Sequence, residues 1–397
     1  MNLCLLFPKL SKVMISVTWV LTASHPNHWY VVALSREVKT QPVGVMLWKQ
    51  AMGVSLAAPQ DSAPPGTAIA KVPVPEAIAL YRDSKGQIHA LEDRCPHRLV
   101  KLSHGQVIGD ELECAYHGWR FNDRGECAAV PYLADNQKLA SKIRRYPVKE
   151  QDGFIWLFPG NVETRHGASL QTDGASLQTD GASLQPMGVP EWDHLNYIAT
   201  VSVINCNAHY SYLIENLMDM YHGHLHEDYQ AWAEASLEDI YEDAHRIDAH
   251  YTAQSYYKID KIWSISQLFF PALRRLHPEP LDVSYVYPHW VSTLGKDFKI
   301  YCLLCPVNET QTKAYLIHFT SLNAFWRLHK LPVWLRRFVK NSLFGAAQKF
   351  LDGLVRQDVQ MIEEEQQAYL QNPQRRGYEL NRALVSVQRL MSSQIYS

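Results

Sequence analysis

A chain of 397 residues is longer than one ordinary hydrophobic core accommodates, so two domains are expected. Apolar residues make up 47% and charged residues 20%, the balance of a water-soluble globular protein, and a formal net charge of −2 argues against a general nucleic-acid binder, which carries a basic excess. The seven cysteines are odd in number and follow no disulfide spacing, which points to a reducing, cytoplasmic setting.

Residues 1–24 read as a leader or a mis-assigned start. Lys9 and Lys12 precede the apolar run Val13–Ala23, which is too short to span a bilayer, and Met14 is an alternative first residue. From Asn27 the pattern turns strand-like, through Trp29–Leu34 and Val43–Trp48, with a partner at Ala77–Arg82 before the turn Asp83-Ser84-Lys85-Gly86. The intervening 51–76 is rich in Ala, Pro and Ser and reads as a surface insertion.

Residues 25–165 form the first expected domain, a small all-β module of short strands such as Ile88–Leu91, Gln106–Ile108, Glu111–Cys114 and Phe154–Phe158. Its loops carry Cys95-Pro96-His97 and, after sixteen intervening residues, Cys114-Ala115-Tyr116-His117. Each half offers one thiolate and one imidazole, so two loops can place both Cys on one iron and both His on the other, as in a Rieske [2Fe–2S] centre. The rival is a Cys2His2 zinc site, but zinc-finger spacing usually keeps the Cys together and sets the His together on a helix. Cys127 is expected to be a packed thiol.

Residues 166–188 repeat Gly-Ala-Ser-Leu-Gln-Thr-Asp almost three times. One large apolar residue per unit makes a flexible linker and not a coiled coil.

The second domain is expected over 189–397. Asn205–Leu225 reads as one long helix, on which Glu215, Asn216, Asp219, His222 and His226 recur at steps of three and four and share a face. Burying such a face without a purpose is costly, so it is a candidate site. Strands are expected at Ala249–Lys258, Val283–Pro288, Lys299–Leu304 and Tyr315–Ser321. Cys302 and Cys305 sit in a strand-like run and read as unpaired core thiols, with a redox pair as the alternative. Phe325–Leu354 reads as a basic helix whose default role is core packing with a charged outer face. Trp326, Trp334, Leu335 and Phe338 raise a membrane surface as the alternative. A further helix over Leu354–Tyr369 holds Asp358 among Glu363, Glu364 and Glu365.

Two His and one carboxylate with open coordination positions make the facial triad of non-haem Fe(II) oxygenases. With the cluster motif upstream, the chain resembles Rieske non-haem iron oxygenases of the catalytic α-subunit type from about Asn27 to about Gln367, nearest the pheophorbide a oxygenase and chlorophyllide a oxygenase-like subgroup. The resemblance implies an α+β fold, with an all-β Rieske domain followed by a helix-grip (START/Bet v 1-like) domain built on an antiparallel sheet. It implies a [2Fe–2S] cluster on Cys95, His97, Cys114 and His117, and a mononuclear Fe(II) on His222, His226 and Asp358, with O2 as co-substrate. Asn216-Leu217-Met218-Asp219-Met220-Tyr221-His222 fits the family's N-x-x-D-x-x-H, making Asn216 and Asp219 candidate catalytic residues and Asp219 the carboxylate bridging the two centres across subunits. The family leaves four residues between its two His, whereas His222 and His226 leave three, so His224 stays open as the second ligand.

The same resemblance implies a homotrimer and a cyclic or aromatic small-molecule substrate. A chlorophyll-type tetrapyrrole follows from the subgroup, and the reaction would be hydroxylation, demethylation or ring cleavage. An external ferredoxin or reductase is implied because the chain shows no G-x-G-x-x-G fingerprint. The expected location is cytoplasmic, with peripheral membrane association as the alternative. Two other functions remain: an electron carrier without oxygenase activity, and a zinc-stabilised lipid- or pigment-binding protein.

Overall fold

The computed structural model describes residues 23–50, 73–134, 139–160, 185–226, 232–256, 275–325, 328–373 and 378–394, with 137, 266 and 270–273. Residues 1–22, most of the expected insertion and the repeated segment 166–184 lie outside the described residues.

Among the described residues ten short strands build the first unit: β1 (Tyr30–Leu34), β2 (Val43–Gln50), β3 (Pro73–Arg82), β4 (Ile88–Glu92), β5 (Gln106–Ile108), β6 (Glu111–Glu113), β7 (Arg120–Phe121), β8 (Cys127–Ala129), β9 (Val148–Gln151) and β10 (Phe154–Leu157). They form three small antiparallel sheets, ordered β1-β10-β9, β2-β3-β4 and β5-β6-β7-β8. Gln50 pairs with Pro73, so the insertion joins the β2–β3 hairpin, and residues 73–76, expected to belong to it, are strand. Ala23 and Ser24 are also part of the fold rather than the leader, because Ser24 bridges to Lys49 beside Trp48.

The second unit is a seven-stranded antiparallel sheet of β11 (Tyr197–Cys206), β12 (Trp232–Glu242), β13 (Arg246–Ser255), β14 (His277–Val286), β15 (His289–Leu294), β16 (Phe298–Asn308) and β17 (Gln311–Ser321), in the order β11-β17-β16-β15-β14-β13-β12. Helices α1 (Tyr210–Met218), α2 (Val333–Gln371) and α3 (Arg382–Ser393) pack on one face, giving the helix-grip arrangement expected of an α+β fold. Alternation along β11 explains the layering. Ile198, Ile204 and Cys206 are buried, with Ile204 and Cys206 in the core shared with the helices, while Ala199, Val201 and Val203 pack toward the first unit. On that second side Val31, Leu34, Phe154 and Trp156 meet Leu303, Tyr315, Ile317 and Phe319 in a common apolar layer.

Two helix expectations are corrected. The long helix over Asn205–Leu225 does not form: Asn205 and Cys206 finish β11, and α1 stops after nine residues because Asp219 is extended (φ −92°, ψ 100°). Met220–His226 then winds as a 3-10 segment. Conversely, the two helices expected over Phe325–Leu354 and Leu354–Tyr369 are one 39-residue helix, α2. Its first turns do not present a charged outer face alone, since Trp334 is 71% and Phe338 65% exposed. No helix among the described residues is long and apolar enough to cross a membrane.

Cys302 and Cys305 are both buried and free, three residues apart on β16. An odd spacing on a strand sends them to opposite faces, one into the core with the helices and the other into the first unit.

Candidate metal centres and their surroundings

The two cysteine loops repeat one backbone design. Cys95 N donates to Val100 O and Leu99 N returns to Cys95 O; Cys114 N donates to Trp119 O and Gly118 N returns to Cys114 O. In both loops the fourth residue after the cysteine is left-handed, Leu99 at φ 57° and Gly118 at φ 69°. A side chain at Gly118 would meet Pro131 Cγ at 2.9 Å, whereas Leu99 accepts the strain, about 1–2 kcal/mol for a non-glycine residue.

Cys95 and Cys114 point inward and are buried, while His97 is exposed and His117 half-buried on the outer side. The imidazole centroids lie 4.4 Å apart, and Trp119 stacks on His97 at 4.9 Å and 4°. Burial, with the Cys114 thiol alongside, pushes the Cys95 thiol up to about 11. Two sulfurs inside and two imidazoles outside match the division of ligands in a Rieske [2Fe–2S] cluster, so these residues fit the group. Cys127 is buried on β8 and its Sγ faces Ala129 O, the surroundings of a packed thiol.

The second constellation is assembled by tertiary contact. One ligand atom each from His222, His226 and Asp358 lies within 4.8 Å of the others. His226 Nε2 is 2.9 Å and His222 Nε2 3.7 Å from Asp358 Oδ1. Although close to the carboxylate, the buried His226 Nε2 lacks hydrogen-bond alignment with any partner. Lone-pair atoms converging on one point in this way fit a divalent cation. Burial pulls the His222 imidazole below its usual range; at His226 the effect of burial is outweighed by the Asp358 carboxylate, and the group sits above it. His224 is exposed and stands outside the cluster.

Supporting groups complete the site. His226 Nδ1 lies 3.0 Å from Gln357 Oε1, and Asn216 Nδ2 donates to Asp358 Oδ1 at 3.3 Å. Asp219 supplies none of the converging ligand atoms but adjoins them: its backbone is hydrogen-bonded to His222, and its Oδ1 accepts from Asn381 Nδ2 at 2.8 Å and from Tyr221 N at 3.0 Å. Asn381 also reaches Tyr251 Oη, which in turn donates to Met218 O. Glu215 departs from the shared face altogether. It is buried, with Gln388 Nε2 3.4 Å away, and burial, then Glu365, holds its carboxyl well above the carboxylate range. Sequence reasoning missed Asn381, Tyr251 and Gln357. Of these only Gln357, adjacent to Asp358, stood near a motif; the other two are ordinary polar residues distant in sequence from the site.

A module with inward thiols and outward imidazoles, joined to a sheet domain with a two-histidine, one-carboxylate cluster, has the form of an oxygen-activating iron enzyme fed by an iron–sulfur centre. Residues 28–147 match the Rieske [2Fe-2S] domain family. The 4beta-methylsterol monooxygenase of Methylococcus capsulatus is 30% identical over 374 residues, covering 92% of this chain and 86% of that protein. Chlorophyllide a oxygenase of Chlamydomonas reinhardtii is 38% identical over 86 residues, 22% of this chain and 13% of that protein. The crystal structure of dicamba monooxygenase bound to dicamba superposes with a TM-score of 0.67 at 21% identity, over 94% of this chain and 98% of that one, a likeness of fold. The chain belongs to the Rieske non-haem iron oxygenases. It is therefore an oxidoreductase that carries a [2Fe–2S] cluster and a mononuclear iron and uses O2.

Proposed function

We propose that Cys95, His97, Cys114 and His117 hold the cluster, that His222, His226 and Asp358 hold the mononuclear iron, and that the enzyme hydroxylates an apolar polycyclic substrate of the methylsterol kind. The convergence of His222, His226 and Asp358 carries this reading, because a Rieske electron carrier would have no use for it. When bound, the two metal groups supply single electrons and the activation of O2.

The remaining roles belong to the polypeptide. The apolar layer around Leu91, Leu102, Leu112 and Phe121 keeps water from Cys95 and Cys114, while His97 and His117 face outward where a neighbouring molecule can reach them. Gln357 sets the ring of His226, and Asn216 restrains Asp358. Asp219, tethered by Asn381, offers a partly exposed carboxylate to an outward histidine of the next subunit in a head-to-tail homotrimer, with electrons arriving from a separate ferredoxin or reductase.

The methylsterol class rests on likeness along nearly the whole chain, whereas the likeness to chlorophyllide a oxygenase spans fewer residues than one Rieske domain. A chlorophyll-type tetrapyrrole is thus the second choice. Purified anaerobically, the protein should contain about three irons per chain, against about two for an electron carrier. Turnover with a surrogate ferredoxin and reductase, scored for O2-derived oxygen in 4-methylsterols and in chlorophyllide-type substrates, then decides the class. Conversion of the tetrapyrrole alone would overturn the sterol assignment.

A further inference from the structure

The start of α2 combines exposed aromatic side chains with a run of cations. Between Glu309 and Asp352 the sequence has no acidic residue, and 325–351 carries six Lys and Arg in a protein whose formal net charge is −2. Trp334 and Phe338 stand one turn apart on α2 and are the most exposed apolar side chains of that helix, at 71% and 65%. Val333 and Phe344 are exposed beside them, and Lys330, Arg337 and Lys349 are exposed in the same stretch.

Packing places this surface at one end of the sheet. Arg336 Nη1 donates to Asn196 Oδ1 and Lys340 Nζ to His194 O, just before β11 begins, while Asp352 meets Ser202 further along that strand. Tyr197 pairs with Ser321, Phe298 with Thr320, Leu294 with Phe298, and Ser255 with His277. The exposed Leu276 immediately precedes His277 and so lies at the same end. At 1.5 Å per residue Asp358 is about 30 Å along α2 from Phe338, so the surface does not compete with the iron cluster.

We propose that this end of the second unit docks on the surface of an anionic lipid bilayer, with Trp334 and Phe338 inserted among the headgroups and Lys330, Arg337 and Lys349 held over the phosphates. Aromatic side chains interleaved with cations on an exposed helix face are what an interfacial helix needs, the apolar face entering by about 5–10 Å. An acidic protein partner would need a shaped apolar pocket for Trp334 and Phe338 as well as carboxylates for the cations, whereas a headgroup layer takes both without one. A symmetric contact with a second copy would set Lys330, Arg337 and Lys349 against the same three cations, which repels unless anions intervene, and a head-to-tail contact is read by the light-scattering outcome below.

The test is flotation of the full-length holoprotein with phosphatidylcholine vesicles containing about 30% phosphatidylglycerol, against pure phosphatidylcholine. Wild type should float with the anionic vesicles and be released as salt rises. Arg337→Gln with Lys349→Gln should weaken partition about thirtyfold, each cation contributing about fivefold. Trp334→Ala with Phe338→Ala should weaken it at least tenfold, and both double variants should keep wild-type iron content and turnover of a water-soluble substrate. Wild type that stays in solution, or variants that float like wild type, overturn the proposal. So does an aromatic double variant whose only change is a smaller assembly by light scattering, which would make the face a contact between copies, or capture by an acidic ferredoxin with no vesicle binding.

Discussion

The ring of His226 has one contact that can be removed without touching the candidate iron ligands. Gln357 Oε1 lies 3.0 Å from Nδ1, and accepting the Nδ1 proton leaves Nε2 as the lone-pair nitrogen turned toward His222 and Asp358. Gln357→Leu keeps the bulk and deletes the acceptor. The lost hydrogen bond is worth about 0.5–1.5 kcal/mol by itself. Releasing the ring and its tautomer adds to that, and outer partners of metal-bound histidines typically contribute 10- to 100-fold in affinity, about 1.4–2.7 kcal/mol. The assay is iron retained against a graded ferrous chelator under anaerobic conditions, with the cluster absorbance of the same sample as internal reference. Mononuclear iron should be lost at a 10- to 100-fold lower chelator concentration while the cluster persists. Gln357→Glu, which still accepts, should hold iron at least as well as wild type. If Gln357→Leu retained iron like wild type, or lost cluster and iron together, the role given to Gln357 in setting the ring of His226 would be refuted.

Other perturbations separate the remaining roles. Asp219→Ala should leave both metal complements intact and abolish coupled turnover; disappearance of the [2Fe–2S] signal in this variant would contradict a linking role. Asn381 both caps α3, its side chain accepting from Ala383 N at 3.0 Å, and restrains Asp219. Asn381→Ala should cost about 0.5–2 kcal/mol of stability and slow turnover, whereas Asn381→Ser should recover the stability through its own cap but not the rate. Recovery of both by serine would show that only the cap matters. Glu215, raised by burial and by facing Glu365, Glu379 and Asp219, favours its protonated form in the folded chain. Its contribution is complete below the ordinary glutamate range and drains as pH rises toward the folded value, at about 1.4 kcal/mol per pH unit. Melting temperatures between about pH 5 and 8 should therefore fall less steeply for Glu215→Gln than for wild type, and parallel curves would rule the reasoning out.

Short-range chemistry made the cluster module legible in the amino-acid order. Both halves of that motif lie within 23 residues, on loops whose turns are written locally in Pro96 and Gly118. The strands β13, β16 and β17 were equally plain: β13 alternates because one of its faces is only partly covered, while β16 and β17, covered on both faces, read as short apolar runs. The helix reading around Asp219 failed because the same spacing of polar residues suits a helix or a tight 3-10 winding, and the break at Asp219 is tied down by Asn381, 162 residues away. The gathering of His222 and His226 with Asp358, more than 130 positions downstream, and the choice of His226 over His224 for that cluster depend on how α2 lies across the sheet. Which face of α2 stays in water was also decided there: its later turns meet β11 and α1, and its first turns run past the end of the sheet, so identical helical periodicity leaves Leu351 buried and Trp334 exposed. Local sequence sets what a segment can form, and only the packing of distant segments determines which side chains share a site, because that energy comes from contacts no short window contains.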